Sequence, residues 1–129
     1  MKNLMIPFII LFTLTLSCKK DSDNSPDNNS RTLRYELSGN FTGSIVTSYT
    51  TASGGTVNET VTAIPWTKEI DYATNVTAAI IALSGSGGVA GQKVNLVIKR
   101  GGVQVGSTIE LVAKSSGGIE PATGPAIVF

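Results

Sequence analysis

From Thr32 onward, apolar and polar positions alternate with a period of two, and glycine-rich breaks cut the alternation into short runs. Leu33, Tyr35 and Leu37 fall on one side while Arg34, Glu36 and Ser38 fall on the other, the mark of a half-buried strand. Thr42 to Thr51 is rich in β-branched and aromatic residues and runs into Ala52-Ser53-Gly54-Gly55. Val57 to Ile64 then returns as the second arm of a hairpin. Trp66, Ile70 and Tyr72 mark a fourth strand. Val76 to Leu83 is a continuous apolar run, which predicts a strand buried on both faces, with a short helix as the alternative. After a loop from Ser84 to Gly91, Val94, Leu96 and Ile98 alternate with Lys93, Asn95 and Lys99. Arg100-Gly101-Gly102 turns the chain into Val103 to Val105, and Ile109 to Ala113 and Ala126 to Phe129 complete the set. Pro125, which cannot donate a ladder hydrogen bond, suits the start of an edge strand. The pattern predicts an all-β domain over 32–129, an antiparallel immunoglobulin-like sandwich of seven to nine strands.

The first 31 residues follow a different pattern. Lys2 precedes a stretch from Leu4 to Leu16 interrupted only by Pro7, Thr13 and Thr15. As a helix at about 1.5 Å per residue it would reach ~20 Å, short of a ~30 Å hydrocarbon core. That length suits a signal peptide, assigned to residues 1–17. Leu14-Thr15-Leu16-Ser17-Cys18 resembles a bacterial lipobox, which implies cleavage before Cys18 and a diacylglyceryl group, with further palmitate-type acylation, on its thiol. Residues 18–31 then form the lipidated cysteine and a tether, because KKDSDNSPDNNSR has no apolar residue to offset the entropy of ordering. Such a coil spans roughly 20 Å. Asp21-x-Asp23-x-Ser25 echoes a calcium loop, but Pro26 and Thr32 stand where glycine and a bidentate glutamate are needed, so no metal is expected. Lys19-Lys20 followed by acidic residues also resembles the surface-export signals of Bacteroidetes-type lipoproteins. The expected location is the outer membrane of the cell envelope, facing the periplasm or the cell surface.

Composition narrows the chemistry. The 129 residues hold 10 Lys+Arg, 9 Asp+Glu, one cysteine and no histidine. Without histidine the commonest general base and the Ser–His and Cys–His pairs are missing. From Cys18 onward 9 basic side chains balance 9 acidic ones, and from Thr32 onward the balance is 6 against 6, so no nucleic acid is expected as a partner. Gly85-Ser86-Gly87-Gly88-Val89-Ala90 fits the dinucleotide fingerprint in letters, but a strand pattern follows where a helix is required, so no cofactor is expected. The domain's carboxylates are scattered among alternating strands, which argues against an enzyme. Lys93, Lys99, Arg100 and Lys114 read as a solvated face more readily than as a basic patch. Trp66 reads first as core, with a sugar-stacking platform as the alternative, and Tyr49 and Tyr72 are the other aromatic binding candidates.

Tyr35-Glu36-Leu37-Ser38-Gly39, Tyr49-Thr50 before a glycine turn, Val61-Thr62-Ala63-Ile64-Pro65-Trp66 and the strand–turn–strand from Ile98 to Val105 together resemble the MmpS family and its bacterial relatives. The resemblance covers most of Leu33 to Phe129 and implies a small extracytoplasmic β-sandwich that accompanies an envelope transporter. The chain departs from the family in three places. Apolar Leu96 and Val128 stand near the family's paired cysteines, Gly101-Gly102 replaces an Asp-Gly turn, and the anchor resembles a lipid instead of a transmembrane helix. The expected function is a non-enzymatic cell-envelope lipoprotein, held at the membrane through Cys18, whose sandwich binds or supports an envelope protein partner. The alternative is a surface-exposed glycan-binding or adhesion module.

Overall fold

The structure, a computed structural model, describes residues 29–129. The expected signal peptide, Cys18 and most of the expected tether lie outside these residues. In chain order the strands are β1 (Thr32–Gly39), β2 (Ser44–Thr50), β3 (Thr56–Val61), β4 (Trp66–Asp71), β5 (Ala78–Ala79), β6 (Ile81–Ser86), β7 (Lys93–Arg100), β8 (Val103–Gln104), β9 (Ile109–Val112), β10 (Ile119–Thr123) and β11 (Ile127–Val128). Eight of them span four or more residues, within the seven to nine that the alternation predicts.

Two antiparallel sheets pack face to face as a β-sandwich. The first has β1 at its centre, between β4 and β7, and β7 pairs with both β8 and β9 on its far side. The second runs β10-β6-β2-β3, with β2 and β3 forming the hairpin expected around Gly54-Gly55. A two-stranded ladder of β5 and β11 closes one end. Leu33, Tyr35, Leu37, Val94, Leu96 and Ile98 from the first sheet meet Ile45, Tyr49, Val61, Ile81, Leu83 and Ile119 from the second, all buried. Each such side chain contributes about 1.5–3 kcal/mol relative to exposure, so this two-faced core holds the sheets together without a disulfide.

Four details correct the sequence reading. The run from Val76 to Leu83 is not buried on both faces. Val76, Ala79, Ile81 and Leu83 point inward while Thr77, Ala78 and Ile80 are exposed, and the ladder changes partner at Ile80, from β11 to β2 and β10. Apolar composition therefore hid an ordinary alternation with an outward isoleucine. The strand also continues to Ser86, shortening the expected loop at 84–91. β10 has no counterpart among the expected strands, since it contains Pro121 and follows Gly117-Gly118; the sheet tolerates the proline because β10 is an edge strand with a register shift between Ile119 and Ala122. Finally, Ser30 and Arg31, expected within a tether, are bonded to the folded body. The Arg31 guanidinium donates to the carbonyls of Tyr72, Ala73 and Val76, and the Ser30 carbonyl accepts from Arg100. A hydrophilic side chain supplied the ordering that composition alone assigns to apolar ones.

Candidate functional site

β3 and β4 end their respective sheets on the same side of the sandwich, and both carry a charge on an inward position. Inward charge on an edge strand discourages pairing with another chain, provided the charge finds a partner. Here Glu59 of β3 gathers three donors. Tyr49 donates its hydroxyl at 2.6 Å, Trp66 donates Nε1 at 3.3 Å, and the Lys68 ammonium lies at 3.1 Å. Lys68 also stands 5.8 Å above the Tyr49 ring. The Tyr49 hydrogen bond, more than Lys68, holds the Glu59 carboxyl below its ordinary range. Burial and that same bond push the Tyr49 phenol up, and Glu59 raises Lys68. The cluster is an ion-paired clasp across the seam between the sheets.

The three aromatic candidates therefore do not form one platform. Tyr49 is buried, and Trp66 is half-buried with its indole N–H committed to Glu59. Tyr35, Tyr49 and Trp66 form a line of tilted rings across the core, with centroids 6.2 and 6.4 Å apart. Tyr72 is buried elsewhere, at the end of the sandwich where the chain enters. Its hydroxyl donates to the Thr50 carbonyl at 2.8 Å and lies 3.1 Å from that of fully buried Tyr35. Burial and this neighbour keep Tyr35 protonated far above the usual phenol range. Beside Tyr72, the guanidinium groups of Arg31 and Arg100 both lie over the Phe129 ring, 4.5 and 5.2 Å from its centroid.

The glycine-rich segment has a different role from phosphate binding. A Cβ on Gly43, Gly85 or Gly88 would meet the Phe41 ring at 2.7, 3.1 or 2.1 Å, so these glycines cradle a buried aromatic plug. The four basic candidates are likewise dispersed. Lys93 pairs with Glu110, Lys99 with Glu36 and Lys114 with Glu120, while Arg100 faces inward and donates to the Ser30 and Val128 carbonyls.

The outer faces of the two sheets differ sharply. On the first, Arg34, Glu36, Glu69, Lys93, Lys99 and Glu110 point to solvent in register, joined by the Arg34–Glu36–Lys99 and Lys93–Glu110 pairs. On the second, β2, β3 and β6 present Ser44, Val46, Ser48, Thr50, Thr56, Asn58, Thr60, Ala82, Ser84 and Ser86, with no charged side chain, and the outward charge of that sheet is Glu120 on the edge strand β10, paired with Lys114. Two shallow depressions open on that neutral face. One of about 120 Å³ is lined by Val46, Ser48, Ala82, Leu83, Ser84 and Pro121. The other, of about 450 Å³, is lined by Thr42, Gly43, Ser44, Thr62, Ser86 and Gly87. The sequence reading passed over these residues; the available signal was outward strand positions filled by hydroxyls with no charge. Among the described residues, no His, Cys, Asp or Glu cluster could hold a metal ion, and no helix is long and apolar enough to cross a membrane. Comparison with protein-family models, with curated proteins and with solved structures gave no match.

Proposed function

We propose that this chain is a cell-envelope lipoprotein, anchored in the outer membrane through acylated Cys18, whose β-sandwich binds a partner and transforms no substrate. The observation that carries the binding half is the neutral outer face of β2, β3 and β6 with its two depressions. A sheet exterior needs only to be wettable, and this one offers hydrogen-bonding groups and shallow relief together. The anchor half rests on the lipobox-like Leu14-Thr15-Leu16-Ser17-Cys18 and the hydrophilic stretch behind it. The immunoglobulin-like label and the MmpS-like resemblance belong to the same proposal, with an envelope transport or assembly complex as the partner they suggest.

The surface glycan-binding alternative gains a specific support, because the neutral face suits an uncharged ligand better than the engaged aromatics Trp66, Tyr49 and Tyr72 do. The test of the anchor is labelling with a palmitate analogue followed by detergent-phase partition. The full chain is expected to incorporate label and enter the detergent phase, and Cys18→Ala to do neither. Label that survives Cys18→Ala defeats the anchor.

A further inference from the structure

We infer that the outer face of β2, β3 and β6 is a binding surface for a neutral polysaccharide. The inference rests on the glycan-binding reading above, in place of the envelope-complex one, and names its ligand class. Three observations lead to it. First, the face is uncharged although the opposite sheet carries a ladder of ion pairs, so it has no means of attracting a polyanion, a nucleic acid or an acidic peptide. Second, its side chains are short. Each serine or threonine hydroxyl supplies one donor and two acceptors, and Val46, 44% exposed, lies between Thr60 on β3 and Ser84 on β6. This mixture of hydroxyls and small apolar groups suits sugar rings, which present hydroxyl edges and C–H faces.

Third, size disfavours a protein partner. Three strands about 4.8 Å apart, with about six residues each at a 3.3 Å rise, offer roughly 300 Å². A stable protein interface takes about 800 Å² from each side. A polymer lying along the face would instead bridge the two depressions, which share the row of outward residues on β2 and β6.

The position of the face agrees with display from a tether. The chain enters the fold beside Tyr72, whose hydroxyl bonds to Thr50 at the end of β2, whereas the larger depression surrounds Ser44 at the strand's start. Seven residues of strand at about 3.3 Å each place that depression roughly 20 Å from the entry point. The larger depression thus lies at the end of the sandwich away from the point where the chain enters.

The test is affinity electrophoresis of the full chain in gels containing galactomannan, xyloglucan or dextran, with alginate as the acidic arm. Val46→Arg and Thr60→Arg place a long charge on the face at exposed positions, and Thr67→Arg does so on the opposite sheet. Retardation by at least one neutral polymer is expected, weakened about tenfold or more by Val46→Arg and by Thr60→Arg and unchanged by Thr67→Arg. Unchanged thermal melting of Thr60→Arg separates lost binding from lost folding. Equal retardation of wild type and both face variants overturns the placement on this sheet. Retardation by alginate alone, or by none of these polymers, overturns the neutral-polysaccharide ligand. Detergent-phase partition of the same samples reports the anchor independently, so a failed ligand and a failed lipoprotein reading give different results.

Discussion

The two sheets bury similar inner faces and expose opposite outer ones. The first sheet's exterior is laced with Arg34–Glu36–Lys99 and Lys93–Glu110 pairs, whereas β2, β3 and β6 expose hydroxyls, an asparagine and small apolar groups. Folding explains neither choice, since any wettable residue serves on a solvated strand face. The difference teaches that charge in this domain must be read by the surface it occupies. A buried charge supports the fold, a seam charge clasps two sheets, and an exterior charge mainly keeps a face wet.

Substitutions along one strand sharpen this comparison, beginning with the largest expected effect. Arg100→Ala removes an inward guanidinium that is only 7% exposed and leaves the Ser30 and Val128 carbonyls without their donor. Urea melts are expected to show a loss of about 2–4 kcal/mol. Its neighbour Lys99 points outward to Glu36, and there Lys99→Ala is expected to cost under about 0.5 kcal/mol in the same assay. Comparable losses at the two positions would break the reading of charge by face.

The seam charge falls between these extremes. Glu59→Gln keeps the shape of the side chain but gives up the ion pair with Lys68 and weakens the acceptor for Tyr49, in a clasp whose charged side chains are about one-third exposed. The expected loss at neutral pH is under about 1 kcal/mol, after allowance for solvent screening. The pH dependence has a definite sign. Because the folded carboxyl titrates below its ordinary value of 4.5, its contribution is complete above that value and disappears as pH falls through the lower folded one. Thermal melts of wild type and Glu59→Gln should therefore converge in acid and separate towards neutrality. A constant gap across that range would show that Glu59 acts through shape alone.

Much of the fold was legible in the sequence because strand alternation is a local property. Leu33, Tyr35 and Leu37, the hairpin around Gly54-Gly55, and Val94, Leu96 and Ile98 lie where period two puts them. β10 was not legible, since Pro121 and the preceding glycines signal a loop unless the strand is known to sit at a sheet edge. The fate of Gly85 and Gly88 was hidden for a similar reason. Only Phe41, more than forty residues away in sequence, explains why side chains are excluded there.

The candidate site was less legible than the fold. Trp66, Tyr49 and Tyr72 drew attention as aromatics, yet two are buried and Trp66 is tied to Glu59. The neutral face is built from Ser, Thr and Asn positions that carry no individual signal and gain meaning only when β3, β2 and β6 lie side by side.

By itself the sequence determined the all-β class, the alternation that separates core from exterior, the balanced charge and the absence of histidine. These follow from residue identity and from a two-residue period. Tertiary structure alone decided that Glu59 would meet Tyr49, Trp66 and Lys68, and that Arg31 and Arg100 would both contact the Phe129 ring. It also decided that the uncharged outward positions of β2, β3 and β6 would lie side by side while the other sheet carried the ion-pair ladder. Each of these depends on which strands become neighbours, and pairing between distant segments is set by the packing of the whole core, which local pattern does not encode.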